Sequence, residues 1–544
     1  MPEAMLSPLE VLKLYPPHDG TMASMLRSRV AIVGGHEFIV YQGRSVTYAE
    51  VLEEVGRTAA VLAAKGVRAG DRVGVMSLNH PSTVFAFFAL ASLSAIMVPV
   101  NPNYGVEETR YVLTHAEVCG VICSPAALPT VRAACDQLEV RPWLMLNEAA
   151  DDQSDLSALP ILSVEARACP DAAPVPLKNP DATCVFIYTS GTTGFPKGVM
   201  HSQRSLLTAG EGFVERMYLQ PDDRLLCVLP MFHVNAIFYS LAGSLAAGAT
   251  LILEPRFSAS KFWTTVKDTG ATEVNTIAAA SSILMRRPRT EYVPGHRLQK
   301  MYGAPFDEET FRVFQQEFHV PTLIEGYGMS EIPGALNNPF CGPHKVLSMG
   351  KPSRHPDPAV SLAELRVADD AGQFLPAGQV GELVVRTPMV MQGYFRDEAQ
   401  TRAAFRDGWF LTGDLAYVDE DHYFWFVARK KDIIRKRGEN ISGAELDRVI
   451  GNHPAVLESA AIPVPSELGE DEILVAVVVR PGMALRHEEI AQWCRERLAA
   501  IKVPRYVALV ETLPHTPTHR VAKFKLRDDA SVRAIAVDLQ AISS

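Results

Sequence analysis

Short runs rich in β-branched residues alternate with helical stretches through the first half of the chain, and this alternation constrains the fold more than any other property. DRVGVMSL, a helix over Ser82 to Leu93, AIMVPV, a helix after Val106, VCGVICS and CVFIYTS follow one another. That is the pattern of a parallel sheet with helices packed on its faces. It returns as RLLCVLP, a helix over Ile237 to Ala247, ATLILEP, a helix over Ala259 to Thr269, and ATEVNTI. Two such layers fit in one large domain, and 544 residues are too many for a single core.

After about residue 355 the texture changes to short strands and turns, as in GELVVRTP, DGWFLTGD and YFWFVARKKD. A charged stretch, RKKDIIRKRG, then precedes a small unit with helices at Ala444 to Gly451 and Arg486 to Ala500 and strands in ESAAIPVP and ILVAVVV. The expected class is therefore α/β. A large N-terminal domain of stacked mixed sheets flanked by helices covers 1–428, with a β-rich subdomain over about 355–428, and a small mobile α+β C-terminal domain covers 429–544.

Composition removes several function classes. A formal net charge of -10 and a pI near 5.9 leave no dominant basic stripe for nucleic acid. Eight scattered cysteines form no CxxC pair and no cluster at metal spacing, which fits a reducing compartment without structural zinc. STVFAFFALASLSAIMVPV (82–100) is nearly long and apolar enough to span a bilayer. Ser92 and Ser94 interrupt it, and IMVPVNP reads as a strand entering a turn, so a buried helix and strand are expected. The N-terminus lacks a basic region followed by an apolar core, and AISS is not a peroxisomal address. The expectation is a cytoplasmic protein with no membrane span, and a homodimer is left open.

The strongest chemical signal is YTSGTTGFPKGV, residues 188–199. Gly191, Gly194 and Gly198 let backbone N–H groups approach an anion. Thr189, Ser190, Thr192 and Thr193 add hydroxyl donors, and Lys197 adds a full charge. It is not the GxxxxGK[ST] loop, because Pro196 precedes the lysine and no hydroxyl residue follows it. A bland surface loop would not require so many anion donors directly after a buried strand.

With its neighbours, this loop resembles the adenylate-forming superfamily of acyl-CoA synthetases, adenylation domains and luciferases, over roughly residues 40–530. PMFHVNA (230–236) is similar to the family's substrate gate, YGAPF (302–306) to its adenine-binding turn, and EGYGMSE (325–331) to the motif with a metal-binding glutamate. DGWFLTGD (407–414) ends in the ribose-binding aspartate, and ARKKDIIRKRGENIS (428–442) is similar to the inter-domain hinge. The resemblance implies ATP, Mg2+ and coenzyme A as cofactors. Gly303, Ala304, Pro305 and Tyr327 would hold the base, Asp414 and Arg429 the ribose, and Glu331 the metal, with Ser330 at the family's commoner threonine. Lys431 would be the hinge pivot, and Gly438, Glu439 and Asn440 would lie along the pantetheine channel.

The implied chemistry has two halves: a carboxylate attacks the α-phosphorus of ATP, expelling pyrophosphate, and a thiol then attacks the acyl adenylate. Two anions must meet in the first, so positive charge has to gather there. The family supplies a lysine from a C-terminal run that the small domain delivers and withdraws. In TPTHRVAKFKLR (516–527), Arg520 stands at that lysine's place and His519 at the usual glycine. Three readings stay open: Arg520 does the work with its longer forked guanidinium, Lys523 does it instead, or the cluster is a solvated face with slow adenylation. The first is preferred, making Arg520, Lys197 and His233 the catalytic candidates.

His233, Asn235, Ala278, Gly328 and Pro333 are the expected substrate contacts. The alanines of NTIAAASS suggest a roomy, apolar cavity, and His233 where amino-acid-activating relatives carry aspartate disfavours a free α-amino group. An aromatic or medium-chain acid passed to coenzyme A is the leading reading. Transfer to an amine or carrier protein, activation of a non-carboxylate oxyanion without coenzyme A, and a nucleotide-binding pseudoenzyme are the alternatives.

Overall fold

The computed structural model describes residues 5–149, 159–169, 176–189, 196–436, 439–466, 471–515 and 521–539, with backbone alone at 431, 439 and 440. Two compact units emerge. One holds Met1–Gly191, Pro196–Leu365 and Val385–Phe410; the other holds Arg366–Val384 and Leu411–Ser544. The expected cut at 428/429 is not where compactness changes: the β-rich stretch is shared, with Arg366–Val384 and the residues from Leu411 onward grouping with the C-terminal residues and Val385–Phe410 with the first unit.

The first unit contains the two layers that the alternation implies. A seven-stranded sheet runs in the order Gly393–Tyr394, Lys197–Ser202, Thr183–Thr189, Ile96–Val100, Arg72–Met76, Gly120–Cys123 and Trp143–Leu146. Its central strands pair in parallel, whereas Thr183–Thr189 and Lys197–Ser202 are antiparallel. A nine-stranded sheet includes Arg224–Cys227, Glu273–Asn275, Lys300–Gly303, Thr322–Met329 and Ile332–Asn337 as successive neighbours or near neighbours. The near-span stretch is a helix, Pro81–Ser92, and a strand, Ile96–Val100. Ten of the twelve helical residues are buried, as in a helix sandwiched inside a protein. Among the described residues no helix is long and apolar enough to cross a membrane.

In the second unit, Val456–Pro465, Asp471–Val479, Tyr506–Val510 and Val537–Asp538 form a four-stranded sheet. The apolar run in Asp471–Val479 is buried on both faces: Ile473, Val475 and Val477 enter one core, and Leu474, Ala476 and Val478 the other. Period-two alternation between two cores explains why no polar residue interrupts it.

Two helices differ from expectation. The segment Ile237 to Ala247 begins with a π-helical turn, Asn235–Leu241, before the α-helix Ala242–Ala247. The helix expected to reach Ala500 is only His487–Arg495, followed by a short 3-10 turn at Ala500–Lys502. Helical propensity continues past Arg495, but few apolar residues there return to the buried face, and packing rather than propensity sustains a helix in water.

Candidate active site

Lys197 opens the return strand of a hairpin whose register sets Thr189 opposite Lys197 and Tyr188 opposite Gly198. The anion-donor loop therefore closes a β-hairpin rather than leading into a helix. Ser190, Gly191, Thr192, Thr193 and Gly194 lie outside the described residues. The base of the hairpin is held from the side by Tyr111, whose hydroxyl donates to the Pro196 carbonyl at 3.1 Å, and by a 2.7 Å hydrogen bond between His115 Nδ1 and the Tyr188 hydroxyl. Phe395 packs against His115 and Phe186.

The short strand Gly393–Tyr394 lies antiparallel to Lys197–Ser202, pairing Tyr394 with Val199. This places the Tyr394 ring under the Lys197 ammonium, 5.1 Å from Nζ, and Gln400 Oε1 accepts a hydrogen bond from Nζ. The Tyr394 hydroxyl donates to Glu331 Oε1 at 2.8 Å. Burial, then the neighbouring Glu331 carboxylate, pushes the Tyr394 phenol far above its ordinary pKa, so it stays a donor.

Glu331 sits at a hairpin tip. Met329 pairs with Ile332, leaving Ser330 and Glu331 as the two-residue turn between Thr322–Met329 and Ile332–Asn337. The Met391 amide donates to the Glu331 carbonyl at 2.8 Å, and Glu331 is buried. The Ser330 carbonyl is fixed by His201 Nε2 at 2.7 Å. His201 is completely buried, and desolvation lowers its pKa to about 4, so it is neutral and donates from Nε2.

Among the described residues no cluster of three or more His, Cys, Asp or Glu side chains could hold a metal ion by itself. A single buried carboxylate with one oxygen outside the Tyr394 bond suits magnesium, which takes one or two carboxylates together with phosphate oxygens. Glu331 fits the metal role on that ground.

Gly303 ends the strand Lys300–Gly303 and pairs in parallel with Glu325, bringing the Gly303-Ala304-Pro305 turn beside the start of EGYGMSE. Glu325, 1 % exposed, accepts the Phe306 amide at 3.0 Å and the Leu347 amide at 3.3 Å, and pairs with His344 at 3.2 Å. A Cβ at Gly303 would fall 2.6 Å from the Phe306 ring, so only glycine permits this approach. Tyr327 is half-buried on the next strand. The Thr276 amide donates to the Tyr302 carbonyl at 2.8 Å, which puts Ala278, the half-buried first residue of helix Ala278–Arg286, near the same turn.

His233 is half-buried against Phe232, with ring centroids 4.4 Å apart. Asn235 begins the π-helical turn, and among the described residues its buried Oδ1 accepts no hydrogen bond. π-Turns recur at functional sites, where they re-aim side chains, and an orphaned acceptor is a place for a ligand donor. Gly328 is exposed and Pro333 buried on facing strands. Behind those strands the buried guanidinium of Arg216 lies among aromatic rings.

In the second unit, Asp414 lies directly across the strand pair from Arg429. The Arg429 Nε is 3.1 Å from Asp414 Oδ1, and Asp414 is 1 % exposed. The Asp414 amide donates to Thr412 Oγ1 at 3.1 Å, and Gly413, at φ +70, donates to Glu382 Oε1 at 3.0 Å. These bonds fix the carboxylate through its backbone. Lys523 is committed to Asp447, 2.5 Å away, where burial of the carboxylate outweighs the lysine's pull and raises its pKa. Arg520 and Gly438 lie outside the described residues, as does the Lys431 side chain.

Sequence reasoning missed Tyr394, Gln400, His201 and Arg216. Tyr394 and Gln400 come from the β-rich stretch, about 200 residues from the lysine they touch, and no local pattern links them. His201 is two residues past Val199, on the same strand as Lys197, and only its complete burial sets it apart.

Residues 26–395 match the family described as AMP-binding enzyme, and residues 445–520 match the AMP-binding enzyme C-terminal domain. The chain is 32 % identical over 516 residues to a sulfoacetate–CoA ligase of Cupriavidus necator, covering 94 % of this chain and 98 % of that one. It is 30 % identical over 489 residues to a crotonobetaine/carnitine–CoA ligase of Escherichia coli, covering 88 % and 93 %. Among solved structures, ATP-bound MatB from Rhodopseudomonas palustris superposes with a TM-score of 0.82 at 27 % identity, covering 93 % and 98 %. The fold, the ordered motifs and these matches agree: the chain belongs to the AMP-binding enzyme family, within the adenylate-forming superfamily, and is an ATP-dependent, AMP-forming acid–thiol ligase.

Proposed function

We propose that this ligase activates a small organic acid with an aromatic or medium-chain body as its acyl adenylate and passes the acyl group to coenzyme A. The observation that carries this reading is the Lys197, Tyr394 and Glu331 constellation at the base of the anion-donor hairpin. It joins a cation to a buried carboxylate through one phenol, the arrangement that a polyphosphate with its magnesium requires.

In the first half-reaction a substrate carboxylate oxygen forms a bond to the α-phosphorus, and the bond to pyrophosphate breaks. Lys197 neutralises the phosphate oxygens, and Tyr394 keeps Glu331 oriented toward magnesium. That ion, when bound, withdraws charge from the phosphate oxygens. Arg520 takes the part that relatives give to lysine, Asp414 and Arg429 take the ribose hydroxyls, and Gly303 to Pro305 with Tyr327 take the base. In the second half-reaction the thiol of coenzyme A loses its proton, its sulfur bonds to the acyl carbon, and AMP leaves. Lys431 is the hinge of a small domain beginning near 429, and Gly438 borders the pantetheine path. His233 and Asn235 border the acid, and Asn235 Oδ1 supplies an acceptor.

Pyrophosphate release on a panel of carboxylic acids, with and without coenzyme A, tests this. Acid-dependent release with thioester formation is expected. Release without thioester would replace coenzyme A with another acceptor, and intact ATP binding without release would make the chain a nucleotide-binding switch.

A further inference from the structure

Arg216 is one of the largest fully buried side chains, with 2 % of its surface exposed. It closes the helix Gln203–Met217 on the side facing the strand Ile332–Asn337. Its acceptors among the described residues are neutral: the Gly334 carbonyl at 2.7 Å, Ser353 Oγ at 3.3 Å and Asn337 Oδ1 at 3.4 Å. The rings of Phe213, Tyr239 and Tyr302 surround it, with centroids 5.1 to 5.6 Å from Cζ. Nη1 is buried and has no hydrogen-bond partner among the described residues. Glu211, earlier on the same helix, is already engaged by His18 and His355 at 3.0 and 3.2 Å.

A buried cation without a carboxylate partner is costly, and aromatic faces offset only part of that cost. Its location gives the charge a use. A Cβ on Gly334, which has φ +68, would fall 2.2 Å from Nη2 and 2.7 Å from Nη1. A Cβ on Gly328 would fall 2.5 Å from the Gly334 amide nitrogen and 3.1 Å from the Tyr239 hydroxyl. The guanidinium thus lies directly behind a floor reduced to backbone by two glycines, and Gly328 is exposed. Through so thin and poorly polarisable a layer, a fixed positive charge acts on whatever rests against the floor.

We propose that Arg216 is a specificity residue selecting acids that carry a second anionic group, carboxylate or sulfonate, at the end remote from the activated carboxylate. Arg216 acts through its field across the Gly328 and Gly334 floor, with Tyr239 holding the guanidinium in place. This rests on the acid–CoA ligase reading above and narrows its substrate class.

The test uses the full chain and pairs of acids of equal length, each a monocarboxylic acid and its ω-carboxy or ω-sulfo counterpart, with thioester formation followed as kcat/KM. The wild type is expected to favour the dianion of a pair, Arg216→Gln to lower the dianion-to-monoanion ratio about tenfold or more, and Arg216→Lys to restore part of it. An unchanged ratio in Arg216→Gln overturns the proposal, because a merely structural arginine would lower both rates together. Should that variant fail to fold, a wild-type ratio at or below one overturns it equally. Thioester with no acid of either kind overturns the ligase reading and this inference with it, whereas thioester with a flat ratio overturns the inference alone.

Discussion

The Tyr394 hydroxyl donates to Glu331 Oε1 at 2.8 Å while the ring of the same tyrosine lies 5.1 Å from the Lys197 ammonium. One side chain thereby sets the position of both the cation and the carboxylate to which the proposed function gives the phosphate chemistry. Tyr394→Phe keeps the ring and removes the donor. It is expected to raise the magnesium concentration needed for half-maximal activity and to lower kcat/KM for ATP about tenfold, the worth of one hydrogen bond to a charged group. Folding stability should fall by about 1–3 kcal/mol, because a buried carboxylate oxygen loses its donor. Initial rates across a magnesium titration check this.

Asp414 and Arg429 form a cross-strand pair in which the carboxylate is buried. If the ribose hydroxyls donate to it, Asp414→Asn should raise KM for ATP about tenfold or more. It should also erase the preference for ATP over its 2′,3′-dideoxy analogue, a discrimination that a loss of folding would not change selectively. Competition between the two nucleotides supplies the measurement.

Arg520 and Lys523 make opposite predictions. Because Lys523 is committed to Asp447, Lys523→Ala should leave ATP–pyrophosphate exchange within about twofold. Arg520→Ala should lower exchange about a hundredfold, as loss of a charge aimed at the transition state does. Thioester formation from supplied acyl adenylate should survive. Unchanged exchange in Arg520→Ala would remove that residue from the adenylation step.

His201 carries a pH signature. Its folded pKa lies near 4 against an ordinary value near 6.5, with burial as the first cause. Between those values the unfolded chain holds a proton that the folded chain does not, so folding stability falls as pH drops from about 6.5 to 4. One such group accounts for about 3 kcal/mol over that window. His80, lowered to about 4 by burial, adds to the same trend. Chemical denaturation at a series of pH values should show the slope, and His201→Gln, which can still donate to the Ser330 carbonyl, should flatten it by about one proton.

How much of this was legible in advance varies by residue. Lys197, Glu331 and Asp414 stand in compact motifs whose residue types led to the expectation of an anion, a hard metal and a diol, and the structure adds their strand register and burial. The helix and strand at 81–100 were readable because Ser92, Ser94 and the turn residues break a run that would otherwise suit a bilayer. The π-turn at Asn235–Leu241 was not readable, since its sequence satisfies helical periodicity and the extra residue per turn arises from packing. Nor was the hairpin closure of the anion-donor loop: GVMHS could equally have begun a helix until strand Gly393–Tyr394 paired with it.

By itself, the sequence determined the alternating α/β layers, the order of the motifs and the presence of a basic residue at position 520, because each depends on periodicity or on adjacent residues. Only the tertiary structure decided that Tyr394 joins Lys197 to Glu331, that Lys523 is already paired, and that Arg216 lies behind two glycines without a carboxylate partner among the described residues. Those relationships span separations that local preferences do not reach, and they exist only once sheet register and side-chain burial have brought the residues together.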